Sequence, residues 1–287
     1  MSPPAYDLFL PRRSRSRLVL SSPHSGRDYP ASFLAASQLD ARSIRSSEDA
    51  FVDLLFAEGP SHGAPLLAAR APRAYVDLNR APDELDPAVV EQAPRGGLNP
   101  RVAAGLGVIP RVVSNGRAIY RGKLSLAEAE GRIARFWRPY HDRLQSLMDE
   151  TQAREGEVVL LDCHSMPHEA IESFAQGGRS RPEVVLGDRF GASAGAEVTE
   201  AIEAAFTAEG LRVARNAPFA GAYITQAYGR PARGQHVVQI EIDRALYLDE
   251  AAVSPGPGFD RMREIVGRVL GRVAAGWDRS RLPLAAE

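Results

Sequence analysis

Two histidines of this sequence each follow a short apolar run of the kind that forms a buried strand. His24 comes after the apolar residues 18–20, and His164 comes after the apolar residues 158–161. Open α/β sheets bind ligands at the carboxyl ends of their strands, and imidazole nitrogens are common ligands of divalent metals. The two histidines therefore predict a shared metal site. The alternative is two separate structural histidines, each hydrogen-bonded to backbone.

A metal held by two imidazoles needs a further protein ligand, because catalytic zinc sites commonly use three. The acidic pair Glu48 and Asp49 is the natural supplier of that ligand. The same pair could instead cap a helix predicted over residues 51–58, since carboxylates are favoured at helix N-termini. The residues alone leave both interpretations open.

Glu241 lies in an alternating stretch that predicts a strand over residues 237–242. A period of two places Gln239, Glu241 and Asp243 on one face and the apolar residues between them on the other. A carboxylate in an α/β core is costly unless it is paired or hydrated, and a general base acting on metal-activated water would meet that condition. A strand with its polar face in solvent is the alternative.

Asn79 and Arg80 stand together just after residues 74–76, which we predict to be the end of a strand. A planar amide beside a guanidinium fork is suited to holding a carboxylate in a bidentate manner. The pair therefore indicates a site for an acidic substrate. A surface ion pair of Arg80 with Asp83 or Glu84 is the alternative.

Covalent catalysis by a side chain is disfavoured. Ser25 and Ser165 each follow a histidine, but the sequence has no Gly-x-Ser-x-Gly elbow of the kind that exposes a nucleophilic serine. Cys163 adjoins His164, and neighbouring residues of a strand point to opposite faces. The sequence favours water as the nucleophile.

The composition bounds the class of protein. The 287 residues are 44% hydrophobic with a formal net charge of -1, so there is no basic surplus for binding nucleic acid. The single cysteine excludes an internal disulfide and a thiolate zinc site. No apolar run approaches the ~20 residues that span a membrane, and no signal-peptide h-region follows the N-terminal arginines. We expect a cytoplasmic enzyme, of an oligomeric state that the sequence does not reveal.

Strand and helix patterns alternate along the chain, which predicts an α/β fold with helices on both faces of a mixed, mostly parallel sheet. We expect one domain over residues 1–287, with 1–16 as an N-terminal extension. The predicted strands are 18–22, 158–161, 184–186 and 237–242. The predicted helices are 51–58, 126–151 with a kink at Pro139, 194–208 and 259–277. Three long loops, 81–114, 165–181 and 216–234, are predicted to wall a pocket.

Several of these motifs together resemble the N-formylglutamate amidohydrolase family, over residues 18–250 or so. The motifs are Pro23-His24-Ser25-Gly26, Asp77-Leu78-Asn79-Arg80, Asp162-Cys163-His164-Ser165, Gln239-Ile240-Glu241 and Tyr223-Ile224-Thr225. The sequence is more distantly similar to the zinc carboxypeptidases. The resemblance implies a three-layer sandwich of the zinc-carboxypeptidase-like (phosphorylase/hydrolase-like) type.

The resemblance also implies one divalent metal, with zinc expected, on His24, Asp49 and His164, and Glu48 is the alternative to Asp49. Carboxypeptidases place their carboxylate ligand three residues after the first histidine, where this chain has Arg27. Glu241 would be the general base. The expected substrate-binding residues are Asn79, Arg80, Arg73, Tyr223 and Thr225, with Arg121 and Arg215 as further arginines in or beside the loops. The roles of His141 and His236 stay open.

The activity that the resemblance implies is hydrolysis of N-formyl-L-glutamate to formate and L-glutamate, a step of histidine degradation. The partner would be a small acidic N-acyl amino acid. A related metal hydrolase acting on another N-acyl amino acid or a small peptide is the alternative. A non-catalytic binding protein on the same fold is a more remote one.

Overall fold

The strands of the central sheet are placed by a computed structural model that describes residues 4–94, 99–172 and 180–276. In chain order they are β1 (Tyr6–Phe9), β2 (Leu18–Ser22), β3 (Leu66–Ala69), β4 (Val158–Met166), β5 (Val184–Gly187), β6 (Val213–Arg215) and β7 (Gln235–Asp243). They form a seven-stranded sheet in the order β1-β3-β2-β4-β7-β5-β6. A two-stranded hairpin, β8 (Leu248–Asp249) with β9 (Ser254–Pro255), lies apart from it.

The sheet is mixed and mostly parallel, as predicted. β1 is antiparallel to β3, and β5 is antiparallel to β7. The other neighbours, β3 with β2, β2 with β4, β4 with β7 and β5 with β6, are parallel. The two longest strands, β4 and β7, are therefore parallel neighbours in the interior of the sheet, and their carboxyl ends meet at one edge.

Helices cover both faces of the sheet. They are α1 (Ala31–Ala36), α2 (Val52–Leu55), α3 (Pro100–Ala103), α4 (Leu126–Arg132), α5 (Arg138–Glu155), α6 (Ala196–Thr207), α7 (Tyr223–Tyr228) and α8 (Phe259–Gly276). Residues Ile133–Trp137 form a π-helical segment that joins α4 to α5. The three-layer α/β prediction is confirmed.

Two hydrophobic clusters separate the layers because the strands alternate. Val158, Leu160 and Val237 belong to the cluster that includes Ile133, Phe136, Tyr140 and Leu144 from the α4–α5 side. The intervening residues Val159, Leu161, Cys163, Val238 and Ile240 belong to the cluster that includes residues of α2, α6 and α8. Cys163 is thus a core residue, and its position is that of a packing residue rather than of a nucleophile.

Several elements differ from their predictions. Tyr6–Phe9 pairs with β3, so this part of the predicted N-terminal extension is an edge strand of the sheet. Residues 74–76 form no strand, because the amides of Tyr75 and Val76 both donate to the carbonyl of Pro72 and close a turn. Strand β3 escaped prediction because alanine, which fills half of it, is poorly represented in strands.

The predicted helix 51–58 is shorter, and the predicted helix 126–151 is longer. Helix α2 is only Val52–Leu55, and it begins after Phe51, which has a left-handed φ of 63°. Pro139 lies in the first turn of α5, directly after the π-helical segment, so a new α-helix starts at the predicted point, and a missing N–H costs little in a first turn. The last helix runs to Gly276, and the predicted end at Trp277 lies outside the described residues.

Candidate metal centre

The register of β4 and β7 places the central residues of the site side by side. His164 is the Cα partner of Glu241, and Asp162 is the partner of Gln239. All four side chains continue the face that Val158, Leu160 and Val237 occupy nearer the amino ends of the strands. The carboxyl ends of these two strands therefore carry polar side chains on the face where their amino ends carry core residues.

His24 reaches the same point from the neighbouring strand. β2 ends at Ser22, and the turn that follows brings the His24 ring to 4.7 Å from the His164 ring, measured between centroids. The turn depends on Gly26, where a Cβ would lie 2.1 Å from the carbonyl oxygen of Ala71. The structure thus brings together the two histidines that the sequence predicted to share a site.

Asp49 completes a cluster with the two histidines. Its Oδ2 lies 2.8 Å from His164 Nδ1 and 3.3 Å from His24 Nδ1, and its amide donates to the His24 carbonyl. The capping interpretation is wrong, because the residue that precedes helix α2 is Phe51 and it makes no side-chain cap.

Glu48, the alternative third ligand, is directed elsewhere. Its Oε1 accepts hydrogen bonds from Tyr29 Oη at 2.6 Å and from Arg45 Nε at 2.9 Å. Its Oε2 accepts from Arg45 Nη2 at 3.0 Å. The geometry favours Asp49 over Glu48 as the acidic member of the cluster.

Each histidine uses its second nitrogen on another carboxylate. His24 Nε2 lies 2.6 Å from Asp77 Oδ1, and His164 Nε2 lies 3.0 Å from Asp162 Oδ2. A carboxylate on the far nitrogen is the usual way to orient a metal-binding imidazole and to fix its tautomer. Both Nδ1 atoms are thereby left to face Asp49.

The cluster fits a divalent cation. His24, Asp49 and His164 are all buried, and one ligand atom from each lies within 4.8 Å of the others. His24 Nδ1 is buried and has no hydrogen-bond partner among the described residues, although an unpaired buried polar atom is costly. Two imidazole nitrogens and a carboxylate oxygen are also the donor set of many catalytic zinc sites.

The charges of the cluster act on one another. Burial alone would raise the pKa of Asp49, but the interactions with the nearby His164 and His24 rings outweigh it and hold that pKa well below its usual value. Burial alone would lower the pKa of His164, and the charge of Asp162 and the bonds to Asp162 and Asp49 raise it well above its usual value. A positive charge between Asp49 and the two rings is therefore electrostatically favourable.

Glu241 lies in the cavity wall beside the cluster. Gln239 Nε2 donates to its Oε1 at 2.8 Å, and Gln239 Oε1 in turn accepts from the Ala222 amide. Burial, which dominates, raises the pKa of Glu241 to about 7. A carboxyl group with this pKa is matched to proton transfer near neutral pH. The alternative of a solvent-exposed polar face is wrong, since Glu241 is buried.

A cavity of about 500 Å³ opens over these residues. All three predicted loops contribute to its wall. Loop 81–114 contributes Arg101, Leu106 and Val113, loop 165–181 contributes Pro167, and loop 216–234 contributes Phe219 and Gly221. Residues 173–179 of the second loop lie outside the described residues. The cavity is of a size that takes small-molecule ligands.

Four arginines line the cavity, and two of them were predicted. Arg73 Nη2 lies 3.2 Å from Asp77 Oδ2. Arg80 is buried, and its Nε and Nη1 donate to the carbonyls of Leu106 and Asn79, both at 2.8 Å. The alternative of an ion pair with Glu84 is present at the limit of such contacts, with Arg80 Nε 4.0 Å from Glu84 Oε2, but Arg80 is buried in the cavity wall and not on the surface.

Arg101 and Arg244 are the cavity arginines that sequence reasoning missed. Arg244 follows Glu241 by three residues at the end of the same strand, and this proximity was the available signal. Arg101 lies in a loop without periodicity, and nothing in the local sequence marked it. Among the described residues, no carboxylate lies within ion-pair distance of Arg101.

Asn79 lines the cavity, but its amide is engaged within the protein. Its Oδ1 accepts from the Ile224 amide at 2.7 Å, and its Nδ2 lies 3.1 Å from Asp162 Oδ2 and 3.1 Å from His164 Nε2. Asn79 therefore holds the carboxylate and imidazole beneath the cluster. The expected direct contact with a substrate carboxylate falls to Arg80.

Four other candidates lie outside the cavity wall. Thr225 is fully buried and donates to the Ala222 carbonyl, and Tyr223 packs beside Trp137. Arg121 is exposed, and Arg215 pairs with Glu203 on the surface. The structure places none of the four on the cavity wall, and their contact with substrate stays a prediction.

The two undecided histidines are structural. His141 Nε2 lies 2.8 Å from the Leu78 carbonyl and its Nδ1 lies 2.8 Å from Tyr228 Oη. His236 accepts from the Gly195 amide and lies 3.1 Å from Glu157. Neither lines the cavity.

Comparison with known proteins identifies the family. Residues 16–248 match the model of the N-formylglutamate amidohydrolase family. The chain belongs to this family. It is 31% identical over 245 residues to N-formylglutamate deformylase of Pseudomonas aeruginosa, which covers 84% of this chain and 85% of the relative. It is 27% identical over 241 residues to N-formylglutamate deformylase of Pseudomonas putida, covering 83% of this chain and 84% of that relative.

A solved structure supports the same placement. The N-formylglutamate amidohydrolase of Ralstonia eutropha JMP134 superposes with a TM-score of 0.87 at 34% identity, covering 96% of this chain and 99% of that one. The likeness extends over the sheet and the helical layers on both of its faces. Within the part of the chain that the structure describes, none of the helices is long and apolar enough to cross a bilayer.

Proposed function

We propose that this member of the family hydrolyses the formyl amide of N-formyl-L-glutamate to formate and L-glutamate with the help of one divalent metal, for which zinc is expected. The observation that carries the proposal is the buried group of His24, Asp49 and His164 beside Glu241. The named activity of the relatives from both Pseudomonas species supports the choice of substrate.

His24 and His164 would hold the metal through Nδ1, since Asp77 and Asp162 engage the Nε2 atoms. Asp49 would supply the third ligand atom. A cation there would act as a Lewis acid on the scissile carbonyl and would make water a stronger acid. The buried carboxylates behind the imidazoles keep both rings in the required tautomer.

Glu241 would move the proton. As a carboxylate it accepts a proton from the attacking water, and as a carboxylic acid it returns this proton to the amide nitrogen of the departing glutamate. Its pKa of about 7 lets one residue perform both transfers near neutral pH. Gln239 holds the carboxylate in place by its hydrogen bond to Oε1.

The arginines of the cavity would divide the negative charges of the substrate. Arg73, held by Asp77 within the cavity wall, would stabilise the oxyanion that forms at the formyl carbon. Arg80 and Arg101 also line the cavity. Burial is the main cause that lowers the pKa of the Arg80 guanidinium, and the nearby charges of Arg73 and Arg101 lower it further. Arg80 and Arg101 would then bind the two carboxylates of the substrate.

A substrate comparison tests the proposal. We expect kcat/KM for N-formylglutamate to exceed that for N-acetylglutamate and for N-formylglutamine by at least tenfold. The comparison with N-acetylglutamate measures the preference for a formyl over an acetyl group. The comparison with N-formylglutamine measures the preference for a side-chain carboxylate, which the arginines would bind. Arg101→Gln should reduce the preference over N-formylglutamine, whereas Arg121→Gln, which changes an exposed arginine outside the cavity, should leave it unchanged.

Two outcomes would replace the proposal. Equal turnover of formyl, acetyl and peptidyl substrates would favour a broader metal amidohydrolase that acts on N-acyl amino acids or small peptides. Tight binding of N-formylglutamate without turnover, in protein that contains metal, would favour the binding protein instead.

A further inference from the structure

Arg244 is a buried arginine that links the end of the sheet to the loop bearing Asp49. It begins the short 3-10 turn directly after β7. Its Nη2 donates to Asp49 Oδ1 at 2.9 Å, and its Nε lies 3.1 Å from Ser165 Oγ. Its Nη1 lies 3.3 Å from the Ser46 carbonyl. All three guanidinium nitrogens therefore contact protein, two of them on the loop that carries Asp49.

The two oxygens of Asp49 have different partners. Oδ1 accepts from Arg244, and Oδ2 faces the Nδ1 atoms of His164 and His24. The contact is a single charge-assisted hydrogen bond, which is stronger than a neutral one, and Arg244 is itself held by Ser165 and by the Ser46 carbonyl. Arg244 thus holds one oxygen of Asp49 and so fixes the orientation in which the other oxygen faces the histidines.

The loop has little else to fix the Asp49 side chain. Asp49 belongs to no helix or strand, and the following helix α2 is only four residues long with no side-chain cap. The two histidines, by contrast, lie on or directly after strands of the central sheet. Asp49 is therefore the member of the cluster that most needs an external constraint, and Arg244 supplies one from the sheet.

We propose that Arg244 is a positioning residue for the metal centre, acting through Asp49 rather than on the substrate. This inference rests on the proposed metal function of His24, Asp49 and His164. It assigns the four cavity arginines different tasks, because the donors of Arg244 are committed to Asp49, Ser165 and Ser46, whereas Arg101 has no such partners among the described residues. Loss of a residue that orients a metal ligand typically weakens metal binding by about 10–100-fold.

The test is the affinity for Zn²⁺, measured by competition with a chromophoric chelator. We expect Arg244→Met to weaken Zn²⁺ binding by about 10–100-fold relative to the unmodified protein. Arg244→Lys should recover part of this loss, because an ammonium keeps the charge but cannot span Asp49 and Ser165 together. The absorption spectrum of the Co²⁺-substituted protein should also change in Arg244→Met, because the orientation of a ligand has changed.

Arg111→Met is the matched control. Arg111 Nε donates to the buried Asp86 at 2.9 Å, so this variant also loses an arginine from a buried aspartate, but outside the cavity. It should bind Zn²⁺ as the unmodified protein does. Circular dichroism of each variant verifies the fold before the titration.

The outcomes separate this inference from the metal function itself. If the unmodified protein binds no Zn²⁺, the proposed centre fails. If it binds Zn²⁺ and a folded Arg244→Met variant binds equally well, Arg244 is no positioning residue, and a raised KM for N-formylglutamate would then make it a substrate arginine. Should the Met variant not fold, the Lys variant decides, and an affinity equal to that of the unmodified protein would overturn the inference.

Discussion

The side chains of the three central residues are held mainly by groups of the protein itself. His24 and His164 each turn one nitrogen to a carboxylate of the protein and the other to Asp49. Asp49 likewise divides its oxygens between Arg244 and the histidines. These contacts hold the proposed ligands in place and leave His24 Nδ1 without a hydrogen-bond partner among the described residues, which reduces the ordering cost of binding a metal.

Glu241→Gln separates proton transfer from metal binding at the residue scale. Glutamine has nearly the same shape but cannot accept the proton of the attacking water. We expect kcat for N-formylglutamate to fall by about 10²–10⁴-fold while the zinc content, measured by atomic emission, stays the same. Glu203→Gln, on the surface, is the control. A Gln variant that keeps its kcat would rule out Glu241 as the base.

Residue-level prediction succeeded where a local pattern existed and failed where a contact was distant. His24 and His164 were visible because each follows an apolar strand, and Glu241 because of its period-two alternation. Arg244 stands three residues after Glu241, but its contact with Asp49 was not visible, because Asp49 lies in a distant part of the chain and no periodicity links the two. The internal contact of Asn79 was not visible, since the Ile224 amide that donates to it belongs to helix α7, far along the chain, and the contact of Asn79 with substrate stays a prediction.

At the scale of elements, the register of β4 with β7 does most to build the site. A parallel ladder that pairs His164 with Glu241 also pairs Asp162 with Gln239, so a shift by one residue would turn all of them to the opposite face. The buried apolar residues of both strands prevent that shift. The apolar run 158–161 and the alternation of residues 238–243 are readable in the sequence, and they explain why these strands and their polar side chains were predictable, whereas the alanine-rich β3 was not.

His141 gives helix α5 a pH-dependent attachment to the loop that carries Asn79. Burial, which dominates, lowers its pKa to about 4 from a usual value of 6.5, so the unfolded chain binds a proton more readily than the folded one. The stability is therefore complete above about pH 6.5 and is lost as the pH falls toward 4. The shift corresponds to about 3 kcal/mol.

Urea unfolding as a function of pH measures this contribution. We expect His141→Gln to remove much of the decrease in the free energy of unfolding between about pH 6.5 and 4. His62→Gln, a change on the side of the molecule away from the cavity, should keep the decrease. An unchanged pH profile in His141→Gln would show that another group is responsible.

At the scale of the whole molecule, the proposed metal centre connects three separate parts of the chain. The turn after β2, the loop at Asp49 and strand β4 each contribute one member of the cluster. A ligand that binds only the folded state stabilises it by mass action, by about 4 kcal/mol when its free concentration is 1,000 times its Kd. Removal of the metal should therefore lower the stability of the entire fold.

Chelation should lower the Tm of the protein. We expect calorimetry to show a lower Tm after dialysis against a chelator, and recovery of the original value after Zn²⁺ is restored. The Asp49→Asn variant should have a Tm that responds much less to either treatment, because it lacks the carboxylate ligand. An identical Tm with and without chelator in the unmodified protein would contradict a structural contribution of the metal.

The order of the strands in the chain has a consequence for synthesis. β2, the Asp49 loop and β4 are all translated before residue 167, and β2 and β4 pair directly with each other. Glu241 and Arg244 are translated much later, and β7 then joins the exposed side of β4. A nascent chain therefore has the three proposed metal ligands well before it has the proposed base, and we expect the ability to capture a metal to precede the ability to turn over a substrate.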